Sequence, residues 1–145
     1  MDVLSAVLIG LLSGLIGTIA LTLSETLEMA ITGREPSTVP GQVGAILLGK
    51  DPATDPGLER KNTIVHWMHG ITMGAVRGLL ALTGLGALLA SVLFFVLVWS
   101  GDVLLYRLLG IAPLPWKWKP QELATDLFNK GVYAAVTSIA FVLIA

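Results

Sequence analysis

The chain has 145 residues, of which 54% are hydrophobic and only 13% are charged. Soluble domains carry about twice that charged fraction, so we expect this single domain to face lipid over much of its surface. The net charge of −1 without a basic patch argues against a nucleic-acid partner, and the lack of cysteine excludes disulfides, thiolate metal sites and cysteine nucleophiles.

Four apolar segments are long enough, or nearly so, to cross a bilayer core, which takes about 20 residues. Backbone polar groups must be satisfied internally in lipid, so each span is predicted to be helical. The first span follows no positively charged segment, and we expect it to be retained rather than cleaved as a signal peptide. The predicted fold is all-α, one integral membrane domain (residues 1–145) with four transmembrane helices in an antiparallel bundle. The spans lie at about residues 3–29, 62–82, 85–109 and 121–145.

The three connections between these spans differ in character. The first, at about residues 31–61, is long, and we predict in it a short amphipathic helix on the membrane surface, capped by Ser37 or Thr38. The second, "LTGLG", predicts a tight hairpin. In the third, "GIAPLPWKWKP", the prolines block helix formation, and the alternating tryptophans and lysines are typical of the lipid headgroup region.

Lysine and arginine near the helix ends indicate which side of the membrane is cytoplasmic. They occur in or beside the first and third connections, whereas the hairpin and both termini have none. We therefore predict that connections one and three are cytoplasmic and that both termini lie outside, with Arg77 as an exception near the opposite end. The residues concerned are Arg34, Lys50, Arg60, Lys61, Arg107, Lys117 and Lys119.

With this topology, nearly every ionisable residue of the spans falls at the cytoplasmic end of the bundle, and all four spans contribute. Within each span these residues follow steps of three or four, so they share one helix face. Polar side chains at membrane depth prefer the bundle interior to lipid, which predicts a polar, mostly acidic cluster inside the protein. Its members are Glu25, Glu28, His66, His69, Asp102, Glu122, Asp126 and Lys130.

Two further features bear on how this cluster is assembled. Glycine rows in the first two spans, "GLLSG" and "GITMGAVRG", predict close backbone approach between these helices, which would bring the glutamates near the histidines. Asp102 interrupts a long uncharged segment, and a charge at the centre of a membrane helix costs about 3 kcal/mol. Because Arg107 is poorly placed on the same helix, we expect Asp102 to pair across helices with Lys130 or a histidine.

Carboxylates and imidazoles allow several kinds of chemistry. If a cofactor binds, a transition metal on Glu25, Glu28, His66, His69 and Asp102 is one alternative. A haem held axially by His66 or His69 is a second, and a proton relay is a third. In purely structural readings, Glu25 and Glu28 reach into the headgroups, and the cluster of Glu122, Asp126 and Lys130 stabilises the start of its helix.

The segments "GLLSGLIGT…SETLE" and "NTIVHWMHGITMGAVRGLL", followed by two more spans, carry a family resemblance. They resemble small four-span bacterial inner-membrane proteins of the YagU type and related families, over roughly the first half of the chain. The resemblance implies the architecture and a location in the bacterial inner (plasma) membrane, and it implies no activity.

We predict a small integral membrane protein with a non-enzymatic role, because no nucleophile arrangement or phosphate-binding loop is found. It would act as a subunit of a larger membrane complex or as a homo-oligomer, and its polar cluster would bind a partner, a lipid or an ion. The alternatives are a metal- or haem-binding redox protein and a proton- or cation-conducting protein. A standalone transporter would be expected to have helices broken at the membrane midplane, whereas the breaks here fall in the connections.

Overall fold

The computed structural model describes residues 1–145 and contains helices and turns but no strands. A single 3-10 turn, Pro115–Lys117, precedes the last helix. Three of the helices, α1, α4 and α5, are long and apolar enough to cross a membrane. The helices are α1 (Val3–Thr32), α2 (Val39–Leu47), α3 (Leu58–Ala81), α4 (Ala87–Leu108) and α5 (Pro120–Ile144).

The predicted all-α fold is confirmed, and three of the four predicted spans correspond to helices that are long and apolar enough to cross a membrane. The helix predicted as the second span, α3, is present but does not belong to the apolar set. It begins at Leu58 rather than at about residue 62, and its first turns carry Glu59, Arg60 and Lys61. These charges and the histidines that follow lower its apolar character, so the fourth span stays a prediction.

The helix ends are set by local sequence signals. Asp2 precedes α1 and its carboxylate accepts the backbone N–H of Ser5 at 2.9 Å, which satisfies an otherwise free donor of the first turn. Gly33 ends α1 in a left-handed conformation, φ 70°, which glycine adopts without strain. Pro120 begins α5, where a missing N–H costs nothing.

The most extensive helix contact is between α1 and α3, along the two glycine rows. A Cβ atom on Gly10 would lie 2.5 Å from the carbonyl oxygen of Gly74, and one on Gly14 would lie 2.7 Å from the carbonyl oxygen of Ile71. Only glycine therefore allows these two backbones to touch. The predicted close approach of these helices is confirmed, and it fixes the position of α3 against α1.

The remaining helices complete the bundle. α1 also contacts α5, and α4 packs against α5 and, over a smaller area, against α3. The apolar core lies between these elements and is small. Large apolar side chains such as Leu4, Leu8 and Leu88 are exposed instead, as expected of a surface that faces lipid. The core residues are Leu21, Phe94, Val98, Tyr133 and Ala134.

The short helix predicted in the first connection is α2, and it packs against the start of α3. The amide oxygen of Asn62 accepts the backbone N–H of Gly41 at 2.8 Å, and the Asn62 amide donates to the carbonyl of Ser37 at 3.0 Å. Thr38 occupies the position before the helix without a capping bond from its side chain. The Ser37 hydroxyl, the other predicted cap, accepts the backbone N–H of Val39 in the first turn at 3.3 Å, so Ser37 and Asn62 together hold the start of the helix.

Candidate functional site

A cleft of about 660 Å³ lies at the end of the bundle where α1 ends and α3 begins. All five helices contribute to its lining, together with the first and third connections. Of the predicted cluster, every member except Glu28 lines this cleft. The residues that the structure brings together there are Glu25, His66, His69, Asp102, Glu122, Asp126 and Lys130.

Asp102 lies at the centre of the charged part of the cleft, and its side chain is only 5% exposed. The Lys130 ammonium donates a hydrogen bond to Oδ2 of Asp102. On the other side, Nε2 of His69 lies 2.7 Å from Oδ1, although this contact does not meet hydrogen-bond geometry. Both partners expected from the sequence are therefore present, and the buried carboxylate is compensated across two helix interfaces.

The buried faces of α4 and α5 explain why Asp102 and Lys130 are in contact. On α4, Phe94, Val98 and Asp102 are buried at four-residue intervals and form one stripe. On α5, Tyr133 belongs to the buried face, and Lys130 precedes it by one turn. Since these two helices are in contact, the aspartate and the lysine point toward one another from adjacent helices.

Below the cleft, polar side chains tie α5 to the other helices. The Tyr133 hydroxyl donates to the carbonyl of Gly70 at 2.6 Å, and the Ser24 hydroxyl donates to the Asn129 amide oxygen at 2.7 Å. Tyr133 and Asn129 are almost completely buried. Hydrogen bonds of this kind hold the base of a cleft in one arrangement before any ligand arrives.

His66 is held by Thr22 of α1, whose hydroxyl oxygen lies 2.9 Å from the Nε2 atom. The same hydroxyl donates its single proton to the carbonyl of Thr18 at 2.8 Å, so it can only accept from the imidazole. Nε2 of His66 must therefore carry a proton. The structure thus assigns the tautomer of the neutral ring, in which Nδ1 is the free acceptor.

Aromatic side chains on α4 hold the carboxylate and the ammonium of α5. The indole N–H of Trp99 donates to Oδ2 of Asp126 at 2.8 Å, and the Lys130 ammonium lies 5.7 Å from the centre of the Tyr106 ring. The sequence places Trp99, Asp102 and Tyr106 on one face of α4. It gives no means of assigning their partners, because these lie on α5.

Glu25 and Glu28, three residues apart, have different environments. Glu25 lines the cleft, is half-buried and takes part in none of the four ion pairs of the structure. Glu28 points instead to Arg34, whose terminal nitrogen lies 2.7 Å from Oε2. The hydrogen bonds that Arg34 donates to the Glu28 carboxylate raise the pKa of the Arg34 guanidinium. The sequence interpretation missed this pair, although Gly33 signals the chain reversal that makes it.

The five residues considered as metal ligands are not gathered into one coordination group. No three histidine, aspartate or glutamate side chains are arranged to hold a metal ion. Glu28 is bound to Arg34, and the oxygens of Asp102 face Lys130 and His69. Nε2 of His66 is bound to Thr22, so this atom is not free to ligate a haem iron. The donor atoms therefore form no group of three metal ligands, and the haem alternative stays a prediction.

At the far end of the bundle, Arg77 of α3 is buried with only 1% of the residue exposed. Its Nε donates to the Ser138 hydroxyl at 3.2 Å, and its guanidinium lies 4.8 Å from the centre of the Phe141 ring. One terminal nitrogen has no hydrogen-bond partner. The sequence interpretation treated this residue only as an exception to the charge bias and missed its burial.

Comparison of the chain with protein-family models, with curated proteins and with solved structures gives no match. The resemblance to YagU-type proteins therefore stays a prediction. A function has to be argued from the cleft and from the membrane character of the helices.

Proposed function

We propose that this chain is a multi-pass membrane protein with four spans that binds a ligand in the cleft at one end of the bundle. α3 is the fourth span in this proposal. Its charged residues at 59–61 lie in the first turn or so, where they can reach the headgroups. Its remaining charge, Arg77, is buried inside the protein rather than exposed to lipid.

The observation that carries the proposal is the convergence of ionisable side chains from α1, α3, α4 and α5 on one cleft. Its volume of about 660 Å³ falls within the range of about 300–1,000 Å³ that is usual for small-molecule sites. The proposed role is binding, and the side chains of the site are held in place by partners, because His69 and Lys130 engage Asp102 and His66 engages Thr22. The bound species is a small ligand, a lipid or a segment of a partner subunit.

We further propose that the cleft opens to the cytoplasm of a bacterial cell and that both termini lie outside, as the distribution of lysine and arginine favours. The lack of cysteine makes this directly testable. Ser37→Cys lies in the first connection and Thr83→Cys in the hairpin, and both positions are exposed. With a membrane-impermeant maleimide on intact cells, we expect labelling at position 83 only. Labelling of both positions from the same side would exclude α3 as a span.

Binding is tested by native mass spectrometry of protein released from lipid nanodiscs, where a retained non-covalent species is expected. Thr26→Trp would fill the cleft, since Thr26 is exposed and lines it. Thr72→Trp is the matched control, because Thr72 is exposed outside the cleft and, like Thr26, donates its hydroxyl to its own helix backbone. We expect the species to be lost only with Thr26→Trp. Equal retention by both variants would place binding elsewhere.

A second candidate, proton or cation conduction, is favoured by a line of buried polar side chains on α5. Tyr133, Thr137 and Ser138 continue from Lys130 toward the far end of the bundle. Against it, the fixed charge of Arg77 stands at the end of this line, next to Ser138, and would repel cations. Proton flux into liposomes that Asp102→Asn abolishes would favour conduction over binding.

A further inference from the structure

We propose that the cleft takes an organic cation, an ammonium group on a free amine or on a lipid headgroup, with Glu25 as its counter-ion. This inference rests on the proposed binding function and adds the chemical class of the ligand. It combines the charge balance of the cleft, the environment of Glu25 and the aromatic lining.

The charge balance of the cleft is negative. Five carboxylates line it but only two basic side chains, Arg34 and Lys130. Both basic groups already form ion pairs. Arg34 pairs with Glu28, which does not line the cleft, and Lys130 pairs with Asp102. A ligand that enters the cleft therefore meets unpaired negative charge, which favours a cation. The carboxylates are Glu25, Glu35, Asp102, Glu122 and Asp126.

Glu25 is half-buried and has neither a side-chain hydrogen bond nor an ion pair within 4 Å. Asp126 accepts from the indole of Trp99, and Glu122 accepts the backbone N–H of Lys119 and is exposed. Glu35 is also exposed. A half-buried carboxylate without a donor is costly until a charged or hydrogen-bonding group meets it. A ligand ammonium would supply such a group.

The aromatic lining favours an organic cation over a bare metal ion. Four aromatic side chains border the cleft, and aromatic faces attract ammonium groups within about 6 Å. Tyr106 already faces Lys130, and Tyr133 is almost completely buried. The partly exposed Trp67 and Trp118 are therefore the ones open to a ligand. The acidic and imidazole groups, by contrast, offer no set of three converging metal ligands. The volume of about 660 Å³ is also far larger than one ion needs. The aromatic residues are Trp67, Tyr106, Trp118 and Tyr133.

The test uses a pair of ligands that differ only in charge. Choline is compared with its uncharged carbon isostere, in which a tert-butyl group replaces the trimethylammonium group, and with acetate as an anion. The protein is held in nanodiscs of phosphatidylglycerol, and binding is measured by calorimetry and thermal unfolding. We expect choline to bind and to raise the unfolding temperature, and the isostere and acetate to do neither. In a second arm, the nanodiscs also contain phosphatidylethanolamine. If the ligand is a lipid headgroup, this lipid competes and abolishes the choline signal. If the ligand is a free amine, the choline signal is unchanged.

Glu25→Gln and Glu59→Gln form the matched variants, because each removes one carboxylate but only Glu25 lines the cleft. The trimethylammonium group of choline has no N–H to donate, so Glu25 would act on it through charge alone, and we expect Glu25→Gln to weaken choline binding by about 10-fold. Glu59→Gln should change binding by less than about twofold, since Glu59 is exposed, lies outside the cleft and takes part in no ion pair. If Glu25→Gln does not fold, the comparison of choline with its uncharged isostere still tests the proposal on the unaltered protein.

The outcomes separate this inference from the proposed function. Equal binding of choline and its isostere, or preferential binding of acetate, would overturn the cationic ligand and leave a binding cleft. A retained species in native mass spectrometry that proves neutral or anionic would do the same. Absence of any retained species, together with no binding of any of these probes, would overturn both.

Discussion

The two ends of the bundle each bury a basic side chain, in opposite surroundings. At the cleft, Lys130 pairs with the carboxylate of Asp102. At the far end, Arg77 meets a serine hydroxyl and a phenyl ring, and no carboxylate lies within ion-pair distance. Burying a charged side chain without an opposite charge nearby is costly. At the cleft, Lys130 and Asp102 compensate one another across a helix interface, whereas the charge of Arg77 is buried without a carboxylate partner. The difference indicates that polar groups at the cleft are specifically matched.

The largest expected effect comes from separating α1 and α3, the pair of helices that connects the two ends. Gly74→Leu places a side chain against the backbone of Gly14 and Gly10, and we expect a loss of more than about 3 kcal/mol in the free energy of unfolding. Unfolding in mixed detergent micelles measures this loss. The control is Gly101→Leu, where an added Cβ meets open space. Similar stability of the two variants would contradict the importance of the glycine contact.

The next largest effect comes from Lys130→Met, which leaves the Asp102 carboxylate buried with only His69 beside it. Breaking a buried pair in this way costs about 3–5 kcal/mol. The double variant with Asp102→Leu should recover most of this loss, because no charge then remains unpaired. Both are measured by the same unfolding experiment. A double variant no more stable than the single one would mean that the pair has no coupling of its own.

Arg77→Met sharpens the contrast between the two ends. The substitution removes a buried charge together with one hydrogen bond and one cation–π contact. The gain from removing the buried charge nearly offsets the loss of these two contacts, so we expect the free energy of unfolding to change by no more than about 1 kcal/mol. A loss as large as that of Lys130→Met would show that the guanidinium has an anionic partner, such as a lipid phosphate or another subunit.

A smaller effect is expected at the base of the cleft. Tyr133→Phe removes the hydrogen bond to the Gly70 carbonyl while keeping the buried ring. We expect a loss of about 1–2 kcal/mol, because the carbonyl is left without this donor. Tyr106→Phe provides a comparison, since its ring contact with Lys130 is retained. Equal effects of the two substitutions would argue against a specific role of the Tyr133 hydroxyl.

The smallest effect belongs to a pair outside the bundle, where Nζ of Lys61 lies 2.8 Å from Oδ2 of Asp55. The Lys61 ammonium beside this carboxylate, helped by the Gly57 backbone N–H, lowers the pKa of Asp55 below its usual value. The stabilisation is therefore complete above the unfolded pKa of aspartate and is lost as the pH falls through the lower, folded value. The free energy of unfolding, measured at a series of pH values, should fall slightly less at acid pH in Asp55→Asn. The same fall in both proteins would mean that the pair contributes nothing.

Much of the fold follows from local sequence signals. Apolar runs bounded by glycine and proline predict the long helices to within a few residues, and the glycine rows predict which two helices touch. The pairing of Asp102 follows from the cost of a lone charge in lipid. The departure of Glu28 from the cluster does not follow, because it depends on the chain reversal at Gly33. The orientation of His66 depends on a hydroxyl from another helix, and the burial of Arg77 depends on how α3 is rotated; neither is encoded in residue spacing.

The backbone contact between α1 and α3 has a consequence for motion. Two helices whose backbones touch along glycine rows, with Thr22 and His66 linked at the cleft end, have few side chains between them that can change rotamer, so we expect them to move as one rigid body. α4 has fewer contacts with its neighbours. At the cleft it is joined to α3 through Asp102 and to α5 through Asp102 and the hydrogen bond from Trp99 to Asp126. Any widening of the cleft is therefore expected to start with an outward tilt of α4, which would have to break the contacts of both aspartates.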